Sequence, residues 1–195
     1  MEFVSAHTIK LDKVENELDR FVLDFVRILE RHAKYVIVSG YVAILFGRNR
    51  ASEDVDAFVA DFQDFPAFVA ELHDQGYWIL NEDSQQEAYR MLTDGLAIRI
   101  AKQGKWQPNF EIKFPKRDTD FYSLEHRVEV KLASGSVLVG SLELNIAFKL
   151  FLGSGKDIED ARFLYRLLRE RLDAAKLGYF IGQLGVKKAY EEYLL

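Results

Sequence analysis

Between Tyr35 and Val59 the chain passes through two strand-like stretches with only one short helix between them, and this narrows the choice of fold most. Tyr35–Ser39 (YVIVS) is apolar and β-branched, and Gly40 stops it with a tight turn. Tyr41–Phe46 reads as a short helix and Gly47–Ser52 (GRNRAS) as a polar loop. Asp54–Val59 (DVDAFV) alternates as a half-buried strand does. Successive strand side chains leave opposite faces, so Val55, Ala57 and Val59 point into a core while Asp54, Asp56 and Phe58 share the other side.

The flanking sequence extends this unit. Apolar residues recur at helical spacing from Leu11 to Leu29, predicting a helix over residues 11–32. Pro66 opens a helix to about Gln75, and a weaker one covers 84–94. Ala97–Lys102 and Asn109–Phe114 read as one hairpin, and Arg127–Lys131 with Ser136–Val139 as another, turning at Ser134–Gly135. Ser141 caps a helix to Leu152, Gly153–Ser154–Gly155 interrupts it, and helices over 156–172 and 179–195 follow. The order predicts a mixed α+β core over residues 1–140 with a helical region, 141–195, packed on it.

Composition matters mainly for what it excludes. The absence of Cys rules out a disulfide scaffold or a Cys-ligated metal, and four scattered His argue against zinc. No apolar run reaches a membrane span and no leader-like segment opens the chain, so the expected setting is cytoplasmic, with no membrane partner. The net charge is 26 − 31 = −5, but the charge is segregated. Ser52–Asp94 holds eleven acids and one base, whereas Arg99–Arg117 holds six bases and one acid, which can create a local field for a polyanion. Trp106 sits in the basic hairpin loop, where it can stack on a base or pack the loop down.

Two carboxylates about 5–6 Å apart repel by ~3 kcal/mol at an effective dielectric near 20. Asp54 and Asp56 are therefore either solvated at the strand's mouth or neutralised, by Arg48 and Arg50 or better by a divalent cation. In Asn109–Phe114 (NFEIKF), Glu111 and Lys113 face away from Phe110, Ile112 and Phe114. Were this strand beside Asp54–Val59, three carboxylates would describe a two-metal site for phosphoryl transfer. Lys149, within the apolar IAFKLFL, must snorkel out or meet an anion, a nucleotide phosphate or Asp157. Asp157 and Asp160 can simply favour the start of their helix.

Taken together, Val38–Val59 (VSGYVAILFGRNRASEDVDAFV) resembles the signature of the DNA polymerase beta-like nucleotidyltransferase superfamily. That signature is a strand-end glycine pair, a short helix, a Gly-x-x-Arg loop and Ser/Thr-x-Asp-hydrophobic-Asp. Glu143–Asp160 (ELNIAFKLFLGSGKDIED) is similar to the Lys…Lys/Arg-Asp-x-x-Asp helices of abortive-infection toxin-like minimal nucleotidyltransferases. The resemblance implies a mixed sheet flanked by helices. It implies Asp54, Asp56 and Glu111 as catalytic ligands of two Mg²⁺ ions, with Mn²⁺ as a substitute. The implied nucleotide-binding set is Ser39, Gly40, Arg48, Arg50, Ser52, Lys149 and Asp157, with Gly40 at the triphosphate. Tyr41 departs from the pattern, adding bulk where the phosphates are expected to rest. The expected activity is transfer of a nucleoside monophosphate from an NTP to a hydroxyl of RNA, protein or a small molecule. The alternative is a degenerate relative acting as a nucleotide-binding regulator or toxin–antitoxin component with a cognate partner protein.

Overall fold

The computed structural model describes residues 1–195. In chain order its elements are β1 (Glu2–Ser5), β2 (Thr8–Lys10), α1 (Glu17–Leu29), β3 (Tyr35–Ile37), α2 (Gly40–Leu45) and β4 (Asp54–Val59). Then come α3 (Phe65–Asp74), β5 (Tyr77–Ile79), α4 (Gln85–Thr93), β6 (Ile98–Lys102), β7 (Asn109–Lys113) and α5 (Asp118–Glu125). The chain continues through β8 (Val128–Lys131), β9 (Ser136–Val139), α6 (Leu142–Leu152), α7 (Gly155–Leu168), α8 (Ala174–Gln183) and α9 (Lys187–Tyr193). The nine strands form one mixed sheet in the order β1-β2-β8-β9-β3-β4-β7-β6-β5, the α+β architecture expected from the sequence.

β4 lies near the centre, antiparallel to β3 and parallel to β7. One face of this region carries Val55, Ala57, Phe110, Ile112, Ile100 and Tyr77, all buried. α1 covers it, with Phe25 stacked on Phe110 at 4.1 Å between ring centroids and edge-on to Tyr77 at 5.5 Å. The opposite face carries the acids.

Several boundaries differ from the sequence expectation for identifiable reasons. Helix α1 starts at Glu17 because Asn16 caps it. The Asn16 carboxamide accepts from the Asp19 amide at 2.8 Å, and the Asp19 carboxylate accepts from the Asn16 amide at 3.0 Å. Leu11 instead follows β2 along the sheet, and Val14 is 94% exposed, so their helical spacing is incidental. The expected terminal helix is two helices, since Gly185 at φ +67° breaks it and Asp173 caps an earlier start. β1, β2, β5 and α5 escape sequence reading: the strands are three or four residues long, and α5 has little apolar periodicity. Its start is instead held by the Asp120 carboxylate, which accepts the Lys116 and Arg117 amides at 3.1 Å each.

The helices of residues 141–195 share the core. Ala147, Leu150, Ala161, Leu164, Leu168 and Phe180 belong to the same hydrophobic cluster as the sheet residues. A buried ionic network also binds them to the α2–β4 loop. Lys149, 2% exposed, sets Nζ 2.6 Å from Asp157 Oδ1 and 3.2 Å from Asp160 Oδ2. Asp160, fully buried, also receives Arg48 Nε at 2.8 Å and Arg50 Nη2 at 2.7 Å. Burial alone would raise both carboxyls, but Lys149 and Ser154 at Asp157, and Arg50 and Lys149 at Asp160, hold them below the usual carboxylate range.

Removing one member leaves uncompensated buried charge, so Asp160→Asn should lower unfolding free energy by about 3–5 kcal/mol in urea titrations. A depressed carboxyl contributes stability above its unfolded value that is lost as pH falls through its folded one. Stability should therefore decline below about pH 4, and more shallowly in Asp157→Asn, by thermal melting across pH.

Candidate active site

The register of β4 and β7 builds the site. Asp56 stands directly opposite Glu111, and Asp54 opposite Asn109, so the three predicted carboxylates lie on one face of two adjacent strands. Asp54 is exposed, while Asp56 and Glu111 are half-buried. Burial raises the Asp56 carboxyl, and the charges of Asp54 and Glu111 raise it further, against the opposing pull of Lys113 and a hydrogen bond from Ser39. Glu111 has its own partner in Arg99, whose Nε lies 3.3 Å from Oε2. No three His, Cys, Asp or Glu side chains are gathered closely enough to grip an ion unaided. Mg²⁺ does not require that, because it binds through one or two carboxylates and completes its shell with water and substrate phosphates. The hard oxygen donors of Asp54 and Asp56, with Glu111 alongside, fit such an ion.

The turn after β3 positions Ser39 beside Asp56. Ser39 has φ +65°, a conformation that favours glycine. Its amide donates to Asn145 Oδ1 at 3.3 Å, and Asn145 Nδ2 in turn donates to the carbonyls of Gly140 and Ser141 at 3.0 Å each. Asn145 therefore ties the Ser39 turn to the start of α6.

Three expectations change here. Tyr41 does not intrude on the site: its ring is fully buried and its hydroxyl donates to Asp19 Oδ1 at 3.0 Å. Asp19 carries a second partner, Lys13 Nζ, at 2.8 Å. The missing side chain of Gly40 admits Arg50, whose Nη2 lies 2.7 Å from where a Cβ would stand and donates to the Gly40 carbonyl at 3.2 Å. Arg48, Arg50, Lys149 and Asp157, expected near the nucleotide, are joined in the buried network and line no part of the cleft described next. Ser52 remains at the strand's mouth, its hydroxyl donating to the Asp54 carbonyl at 3.0 Å.

A cleft of about 380 Å³ opens at Asp56 and Ser39, between the sheet and helices α5 and α6. Lys113, Lys116 and Arg117 supply its cationic side, and Phe58, Phe114 and Phe148 its apolar side. Lys116 is held in place, its Nζ donating to the Asp94 carbonyl at 2.8 Å as its stem crosses Gly95. There an added Cβ would meet Lys116 Cε at 1.4 Å. These bases and Asn145 are not among the residues assigned from the sequence. The basic Arg99–Arg117 run signals the first three, whereas Asn145 gives no local sign.

Tyr41→Phe should destabilise the fold by about 1.5–3 kcal/mol, the value of a hydrogen bond to a charged group, read from denaturant unfolding. Asp56→Asn has the opposite sign. An acid whose folded-state value is raised penalises the fold while ionised, so removing its charge should raise the melting temperature, a gain on the order of 1 kcal/mol.

No protein-family model matches the chain, and no curated protein is similar to it in sequence. Solved structures are similar in fold. The solution structure of the antibiotic-resistance factor ANT(2'')-Ia aligns with a TM-score of 0.52 at 16% identity, covering 91% of this chain and 97% of that one. A crystal structure of ANT(2'')-Ia in complex with adenylyl-2''-tobramycin aligns at 0.53 and 15% identity, covering 84% and 96%. The chain has the fold of these nucleotidyltransferases.

Proposed function

We propose that the protein is a Mg²⁺-dependent nucleotidyltransferase that moves a nucleoside monophosphate from an NTP to an acceptor hydroxyl. The observation that carries this reading is the in-register placement of Asp54, Asp56 and Glu111 on one sheet face, with Asp56 opening into a cationic cleft. The shared fold with ANT(2'')-Ia, whose crystal structure holds an adenylylated product, supports it. Tyr41, the residue that favoured a degenerate protein, points into the core and gives that alternative no support.

Asp54 and Asp56 would hold the metal, and Glu111 would assist on the acceptor side. A bound divalent ion supplies charge neutralisation of the phosphates and activation of the attacking oxygen. The protein's own groups supply position and field. Lys113, Lys116 and Arg117 would receive the triphosphate, and Phe58, Phe114 and Phe148 offer the nucleoside an apolar wall. The acceptor oxygen bonds to the α-phosphorus as its bond to the β-phosphate bridge breaks, pyrophosphate leaves, and Glu111 takes the acceptor proton. Little covalent chemistry falls to the protein, since alignment and electrostatics carry the rate.

With labelled NTP and Mg²⁺, wild type should release pyrophosphate and label an acceptor. Asp54→Asn and Asp56→Asn should each reduce the rate at least 100-fold. Lys113→Ala should raise the KM for NTP, and a chelator should abolish transfer. Full transfer by either Asp variant would overturn the assignment.

A further inference from the structure

The sheet face that carries the acids continues beyond them. Following the paired registers from β4 to the edge, Asp54 is opposite Asn109, Asn109 opposite Ala101, and Ala101 opposite Trp78. Directly paired residues share a face, so Asp54, Asn109 and Trp78 lie in one row across four strands. Trp78 is half-exposed and meets Trp106, 66% exposed, edge-on at 5.5 Å between ring centroids. The Trp78 indole N–H donates to the Lys105 carbonyl at 3.2 Å, which fixes the pair to the loop.

Asn109 anchors the loop that carries Trp106. It is 8% exposed, and Nδ2 donates to the Glu53 and Trp106 carbonyls at 3.3 and 3.4 Å. Its Oδ1 is buried and accepts nothing.

We propose that Trp78 and Trp106 form the acceptor-binding platform, with Asn109 fixing their loop, and that the acceptor is the end of a single-stranded polynucleotide. This rests on the nucleotidyl-transfer reading for its chemistry. Indole faces take stacked bases of any sequence. Lys105 in the loop, with Arg99 further along the same face, matches a phosphate backbone rather than a cationic acceptor. Three strand spacings, about 14 Å, separate Trp78 from Asp54, a gap that a polymer bridges and a single small ring does not.

Trp78 and Trp106 are the only tryptophans in the chain, so intrinsic fluorescence of the intact protein reports the platform alone. Titration with short single-stranded oligoadenylate at low salt should quench the emission to saturation. Free adenosine should act far more weakly, and inorganic polyphosphate should leave the emission unchanged. Trp106→Ala, at an exposed position, should weaken binding about tenfold or more, Trp106→Phe should retain most of it, and Lys105→Ala should flatten the salt dependence. Absent quenching, unchanged affinity in Trp106→Ala, or equal binding of adenosine would overturn the proposal. The readout needs neither NTP nor metal, so it is independent of transfer. Binding by wild type without any transfer would overturn the nucleotidyltransferase reading and leave the platform standing. Transfer to acceptors by a protein that binds no strand would do the reverse.

Discussion

Parallel pairing of β4 with β7 is the constraint on which the rest depends. Side chains alternate with a period of two, so slipping β4 by one residue against β7 would send Asp54 and Asp56 to the covered face and expose Val55 and Ala57. The apolar residues hold the register: Phe110 and Ile112 pair with Val55 and Ala57 beneath α1, whose Phe21 and Phe25 rest on Phe110. Hydrophobic burial on one side thus sets Asp56 against Glu111 on the other, where burial, with the charges of Asp54 and Glu111 added, raises the Asp56 carboxyl.

The acidic half of the site was legible because DVDAFV and NFEIKF each show a period of two within a single strand. Their adjacency was not, since it depends on chain order in the sheet and joins residues more than fifty positions apart. Short local signals also misled. Tyr41 stood where a small residue was expected, yet a helical side chain's direction depends on the turn before it, and Ser39 at positive φ aims that ring toward Asp19. The N-cap at Asn16 was readable as Asn-x-x-Asp but was masked by the incidental spacing of Leu11 and Val14.

Charge near the site divides into two sets with different tasks. Half-buried Arg48 and Arg50 and buried Lys149 are paired with Asp157 and Asp160, where their value lies in joining the C-terminal helices to the loop that delivers β4. Lys113, Lys116 and Arg117 reach the cleft and remain able to meet an anion. Sequence motifs identify cations but not which of them fold geometry has already neutralised, and this explains why the cations lining the cleft come from β7 and the start of α5 rather than from the α2–β4 loop.

The nine-stranded sheet ends in two very short strands. β5 contributes three residues at one border, and β1 contributes four at the other, its pairing with β2 broken by a register shift between Phe3 and Ser5. Long, flat borders invite foreign strands to add on, whereas stunted and kinked ones offer too few aligned amides to template growth. So wide a sheet can therefore leave its acid face open to a substrate without its flanks recruiting unwanted β-partners.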